Sequence, residues 1–321
     1  MKILVTGGAG FIGFHVAKAL LERGDSVVII DNFNDYYDPK LKYDRINELK
    51  KGKNSKNMKV CKVDISEYKK LEEIFKKHKF DKICHLAAQP GVRYSLKNPF
   101  RYELWNNLGT LNLLELARTY KIKDFIYASS SSVYGGNKKV PFSEQDDVSH
   151  PISIYAATKK TNELYAYVYH HLYGLNCTGL RFFTVYGPWG RPDMATFRFV
   201  ENIIAGKPID VYGFGKMKRD FTYISDIVAG VLAALDKVFP YEIINLGGDN
   251  PVDINYFIEC IEKALDKKAN KKMLPSQLGD LTVTIADQRL AKEKLNYKPK
   301  IRIEEGIKLF VEWYKKYKNI K

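Results

Sequence analysis

The chain has 321 residues, 45% of them apolar and 13% aromatic, with a formal net charge of +15. That composition supplies a full core and excludes a disordered chain, and no apolar run reaches the roughly 18 residues of a membrane span. The charge comes mostly from lysines spread along the chain ("NELKKGKNSKNMK", "ALDKKANKKM", "YKKYKNIK") rather than from one arginine-rich arm. This argues against a nucleic-acid partner and for a solvated surface whose field would draw in a small anion.

The first half alternates short β-branched runs with longer helical patterns. "KILVTG", "SVVIID", "MKVCKVD", "KICHLAA" and "DFIYASS" read as strands buried on both faces. Between them "FIGFHVAKALLERG", "EYKKLEEIFKKH" and "LWNNLGTLNLLELARTY" carry apolar residues at three- and four-residue spacing. A further helix over roughly 152–173 precedes the strand "NCTGLRF". This rhythm predicts an α/β fold: a Rossmann-type doubly wound parallel sheet over 1–180. After about residue 180 turns multiply ("YGPWGRPD", "AGKPID", "YGFGK"), which predicts a smaller α/β substrate lobe over 181–321, interleaved with the first. The amphipathic "EEGIKLFVEWYKKY" is expected to pack on it. The N-terminus does not read as a signal peptide, because its apolar stretch is short and a glycine turn follows. Cys61, Cys84, Cys177 and Cys260 are scattered without a CxxC, so free thiols in a reducing cytoplasm are expected and no metal site.

"VTGGAGFIGFH" places Gly7, Gly10 and Gly13 at the turn from the first strand into the first helix. The first glycine permits the tight turn, the second lets backbone approach a pyrophosphate, and the third lets helix and strand pack closely. Asp31 ends the second strand, eighteen residues after Gly13. A carboxylate there accepts hydrogen bonds from ribose hydroxyls and repels a 2′-phosphate, so NAD is favoured over NADP. Asp64 ends the third strand in the same way.

"SSSSVYG" follows a buried strand, and "YAATK" puts Tyr155 and Lys159 one helical turn apart. The YxxxK spacing occurs six times, but only at Tyr155 does it open a long helix after a sheet strand that ends in hydroxyls. A phenol is a poor base at neutral pH; a nearby ammonium favours its phenolate, and a serine hydroxyl can bridge it to a substrate hydroxyl.

The glycine turn, "HLAAQ", "SSSSVYG", "YAATKK", "LRFFTVYGP", "RDFTYISD" and "LGD…AD" together resemble the extended short-chain dehydrogenase/reductase family, in its nucleotide-sugar branch. The resemblance spans essentially the whole chain. It implies Ser130 as the catalytic hydroxyl, Tyr155 as base and Lys159 as its partner. Leu86, Ala87, Ala88, Gln89 and Asn106 would line NAD, with Phe182 near the nicotinamide. Phe11, Ile12, Asn32 and Ile65 would be cofactor neighbours in the same motifs.

In family 4,6-dehydratases an Asp and a Glu follow the catalytic residue, and in UDP-glucuronate decarboxylases a Glu holds the second of these positions. Here both are serines, Ser131 and Ser132, so 4-epimerisation remains. "DNFNDYYD" and "FFTVYGPWGRPDM" look more like UDP-glucuronate 4-epimerases than UDP-glucose 4-epimerases, which usually carry Asn where Thr184 stands. Arg191 would pair with a hexuronate carboxylate, aided by Ser131, Ser132 and Thr184. Arg219 resembles a family diphosphate ligand and Asp280 a ribose ligand, while Gln277 replaces an arginine common in hexose epimerases. Arg93 is a further basic candidate. The expected partner is a UDP-sugar, and the expected assembly a homodimer through the helices at 99–120 and 152–173. The rival readings are a neutral UDP-sugar epimerase, a UDP-glucuronate decarboxylase and a non-catalytic NAD sensor.

Overall fold

The computed structural model describes residues 1–276 and 281–320. Its strands, in chain order, are β1 (Lys2–Thr6), β2 (Ser26–Asp31), β3 (Met58–Lys62), β4 (Lys82–His85), β5 (Asp124–Ser130), β6 (Asn176–Phe182), β7 (Thr184–Tyr186), β8 (Ile209–Tyr212), β9 (Lys218–Tyr223), β10 (Tyr241–Leu246), β11 (Pro251–Asp253) and β12 (Lys271–Leu274). The helices are α1 (Phe11–Arg23), α2 (Lys40–Lys50), α3 (Tyr68–Lys77), α4 (Val92–Lys97), α5 (Pro99–Tyr102), α6 (Gly109–Thr119), α7 (Ile154–Tyr173), α8 (Ala195–Ile204), α9 (Ile224–Asp236), α10 (Ile254–Leu265), α11 (Arg289–Leu295) and α12 (Ile303–Lys318).

Seven parallel strands form the main sheet in the order β10-β6-β5-β4-β1-β2-β3. The two-residue period of a strand divides its side chains between two cores. Ile3 and Val5 join the cluster that holds α1, α2 and α9; Leu4 joins the one that holds α3, α6 and α7. Chain order reverses between β1 and β4, and at such a switch point a crevice opens beyond the carboxyl ends of the strands. β10 belongs to the C-terminal half of the chain yet lies at the edge of this sheet, beside β6. The smaller sheets are β11-β9-β7 and β12-β8. Phe197, Phe257 and Phe310, from α8, α10 and α12, continue the α1-side core into the C-terminal half of the chain. No helix among the described residues is long and apolar enough to cross a membrane.

Two elements differ from the sequence reading. The helix expected over 99–120 is α5, a π-helical stretch at Glu103–Leu108, and α6. The Asn106 carbonyl lies within the π stretch. It accepts from the Thr110 hydroxyl at 2.5 Å and the Asn162 side-chain amide at 2.9 Å. The helix α2 was unforeseen, because the lysines around it mask its buried face of Leu41, Lys42, Arg45, Ile46 and Leu49.

Candidate active site

Helix α1 begins at Gly10 with no side-chain cap, so its first amides face the crevice. Gly7 has φ +69°, and a Cβ there would lie 2.7 Å from Ala87 backbone. A Cβ at Gly13 would lie 2.2 Å from the Gly7 carbonyl oxygen, so the third glycine is required for α1 to pack on the turn. The crevice, about 1300 Å³ including the space open to solvent, is lined by all three glycines, Phe11, Ile12, Asp31, Asn32, Ile65 and the Leu86–Gln89 stretch. Asp31 accepts from the amides of Ala9 at 3.1 Å and Phe33 at 2.9 Å. Burial pushes its carboxyl up, with Lys42 the main opposing charge.

This cradle fits a dinucleotide. A helix N-terminus meets a glycine turn with no room for side chains, and a carboxylate stands at the end of the second strand. Two buried polar atoms of the wall, Gln89 Oε1 and Trp105 Nε1, have no protein partner. A buried polar group without a partner costs about 1–3 kcal/mol, so each is a ready contact for a polar ligand.

At the other end of the same crevice stand Ser130, Tyr155, Lys159, Phe182 and Arg191. Ser153 caps α7 by accepting from the Ala156 amide at 3.1 Å, which sets Tyr155 in the helix's first turn. Burial pushes the Tyr155 phenol up, while a hydrogen bond with Ser130 and the charge of Arg191 pull it back. The Lys159 ammonium donates to the Ala128 carbonyl at 2.8 Å, and burial lowers it to about 8 against the opposing pull of Glu163. Behind the serine strand lies a buried pair. Arg181 donates to Glu163 at 2.8 and 2.9 Å, and Ser129 donates to the same carboxylate at 2.7 Å. The first of the four hydroxyls therefore anchors the strand, and the second faces the crevice.

Several expected residues act one step back. Asn106 is not in the crevice wall; its side chain accepts from the Gln89 amide at 2.7 Å and donates to the Gln89 carbonyl at 3.1 Å. Asp64 lies in an adjoining opening and accepts from Asn32 at 2.8 Å. Ser132 gives its hydroxyl proton to Ser130 at 2.9 Å, and neither it nor Ser131 nor Thr184 lines the crevice. Direct donation from the Ser132 hydroxyl is therefore replaced by support of Ser130. Arg93 lies over the Tyr212 ring at 4.6 Å, and Arg219 donates to the carbonyls of Lys218 at 3.0 Å and Thr282 at 3.4 Å. Asp280 and Gln277 lie outside the described residues.

The sequence reading missed Tyr36, Tyr37, Lys42 and Arg45, which follow Asp31. Tyr36, Tyr37 and Lys42 line the crevice. Arg45 is fully buried and donates to the carbonyls of Ala9 at 2.9 Å and Trp189 at 2.6 Å, tying the glycine turn to the loop before Arg191. The available signal was the apolar spacing of Leu41, Ile46 and Leu49 inside a lysine-rich run.

A family model described as GDP-mannose 4,6 dehydratase matches residues 4–310. The chain belongs to that family of extended short-chain dehydrogenase/reductases. The two residues after Ser130 in this chain are serines, Ser131 and Ser132, with no carboxylic acid at either position. Among family relatives, a UDP-glucuronate 4-epimerase of Thermodesulfobacterium geofontis is 50% identical, covering 97% of this chain and 95% of that protein. The crystal structure of a UDP-glucuronic acid 4-epimerase from Bacillus cereus, in complex with UDP-glucuronic acid and NAD, superposes with a TM-score of 0.92. It is 37% identical and covers 99% of this chain and 100% of its own. A UDP-glucose 4-epimerase of Thermotoga maritima, with UDP-glucose, superposes at 0.89 with 34% identity, covering 99% of each chain.

Proposed function

We propose that this chain converts UDP-glucuronate to UDP-galacturonate by epimerisation at C4, with NAD resident in the crevice. The observation that carries the reading is the meeting of Ser130, Tyr155 and Arg191 in one crevice with a dinucleotide cradle, and with no carboxylic acid at positions 131 and 132. The relatives that bear this activity in their names support it.

Bound NAD supplies the hydride acceptor and donor for C4. Tyr155 takes the proton from the 4-hydroxyl and later returns it, with Ser130 bridging phenol and sugar. Lys159, whose ammonium donates to the Ala128 carbonyl, would add a positive charge beside that centre and meet the nicotinamide ribose. Between the two proton transfers the 4-keto sugar turns over within the pocket. Arg191 holds the hexuronate carboxylate. In this reading Arg219 meets the diphosphate and Asp280 the ribose of UDP, while Arg93 adds positive charge nearby.

The protein is read as a cytoplasmic homodimer. Its four cysteines are free. Phe100, Leu104 and Leu108 on one side and Leu164, Tyr167, Val168 and Leu172 on the other form an exposed apolar face, with Phe100 86% exposed. A second copy would cover that face.

The deciding experiment incubates the purified chain with UDP-glucuronate and no added NAD, then separates the nucleotide sugars. UDP-galacturonate is the expected product. The rival is a neutral-sugar epimerase, which the likeness to the Thermotoga protein keeps in view. Conversion of UDP-glucose with UDP-glucuronate untouched would establish that rival.

A further inference from the structure

The loop that carries Arg191 is fastened at both ends. At its base His15 Nε2 meets the Pro188 carbonyl at 2.8 Å, and Arg45 takes the Trp189 and Gly190 carbonyls at 2.6 and 3.3 Å. At its tip Arg191 makes a two-pronged bond to Asp193, Nε to Oδ1 at 3.0 Å and Nη2 to Oδ2 at 2.5 Å. The Tyr36 hydroxyl then donates to Asp193 Oδ2 at 3.1 Å from the loop after β2. The Tyr36 ring leans on Tyr94, with centroids 4.9 Å apart. Asp193 is thus the joint between the loop that follows the Asp31 strand and the residue that faces the sugar.

A guanidinium is planar, and a side-on carboxylate pair fixes that plane. The charge of Arg191 reaches Tyr155, so the plane being fixed is the one at the reacting centre. A loose Arg191 would still attract a carboxylate, but it would not dictate how that carboxylate is turned.

We propose that Asp193 and Tyr36 are positioning residues that set the Arg191 guanidinium and thereby protect the 4-keto intermediate from losing CO₂. This rests on the UDP-glucuronate reading given above. The intermediate is a β-keto acid. When its C5–C6 bond lies parallel to the C4 carbonyl π system, that bond breaks. Its electron pair becomes the C4–C5 enolate, the carboxylate leaves as CO₂, and a proton from water adds at C5. A rigid Arg191 holds the C5–C6 bond out of that alignment, and Asp193 supplies the rigidity.

The test compares the wild-type chain, loaded with NAD, with Asp193→Asn and Tyr36→Phe. Each is given UDP-glucuronate, and the products are separated into UDP-galacturonate and the decarboxylated UDP-4-ketopentose and UDP-pentose. The ratio of decarboxylated to epimerised product should rise about tenfold or more in Asp193→Asn, the scale of one lost charge-assisted orienting bond. A smaller rise in the same direction is expected for Tyr36→Phe. A folded Asp193→Asn that turns over slowly at the wild-type ratio overturns the proposal, because a purely structural defect slows both outcomes alike. If circular dichroism shows Asp193→Asn to be unfolded, Tyr36→Phe decides by the same ratio. It loses one oxygen and keeps its ring. A wild-type chain that leaves UDP-glucuronate untouched overturns the functional reading itself, a result distinct from an unchanged ratio.

Discussion

Replacing Arg181 with methionine would strand the Glu163 carboxylate inside the protein. The two side chains are 3% and 1% exposed and share two hydrogen bonds, at 2.8 and 2.9 Å. After the change the carboxylate keeps Ser129 at 2.7 Å, with Lys160 only at 3.5 Å. Breaking a buried pair from one side costs about 3–5 kcal/mol, because the remaining charge stays desolvated without its partner. Losing the cation over the Tyr134 ring, now at 4.8 Å, adds about 1 kcal/mol. Glu163→Leu should cost a similar amount for the mirror reason. The double variant should cost far less than the sum, since two apolar side chains leave no stranded charge. Urea unfolding at a fixed NAD concentration, followed by circular dichroism, measures all three. Single variants that each lose under about 1 kcal/mol, or a double variant that equals their sum, would refute this reasoning. A kinetic consequence follows as well. Glu163 raises Lys159, which burial has lowered to about 8, so Glu163→Leu should move the alkaline limb of the pH profile downward.

Tyr155→Phe should lower epimerisation about 10²- to 10⁴-fold, the usual worth of a positioned proton-transfer group; chromatographic conversion of UDP-glucuronate reads it, and unchanged turnover would remove Tyr155 from the proton transfer. In the wild type, turnover should fall as pH rises through about 8, because Lys159 there loses the proton that makes it an ammonium; a profile flat to pH 10 would remove Lys159 from the proton chemistry. Its stability sign is opposite. A lysine lowered from 10.5 to about 8 on folding binds fewer protons folded than unfolded, so stability should rise with pH across that window, as pH-dependent urea midpoints would show. Phe100→Asp on the exposed α5 face should turn a dimer into a monomer by sedimentation, and a species of unchanged mass would place the assembly surface elsewhere.

The main sheet and the crevice at its mouth were legible because they depend on local signals. β-branched runs, glycine spacing and the pairing of Tyr155 with Lys159 one turn apart are short-range facts, and each dictates a backbone geometry or a shared helix face. The serines at 131 and 132 could be read as an absence of acid from sequence alone. How the four hydroxyls divide their work could not. Strand alternation and the partner across the sheet decide it: Ser129 turns to Glu163, while Ser132 turns back on Ser130. The same holds for Asn106, which braces Gln89 from seventeen positions away while Asn162, fifty-six positions on, donates to its carbonyl.

Helix α2 and the Tyr36–Asp193–Arg191 joint were illegible for a related reason. Arg45 and Trp189 are 144 positions apart and Tyr36 and Asp193 are 157 apart, so no periodicity links them. A charged residue in a lysine-rich run reads as solvated until folding brings carbonyls to it. Local geometry and hydropathy thus determined the strands, the glycine turn and the pairing of Tyr155 with Lys159 on one helix. The tertiary structure decided which polar side chains bind and which ones hold, because a buried donor takes whatever acceptor the fold delivers.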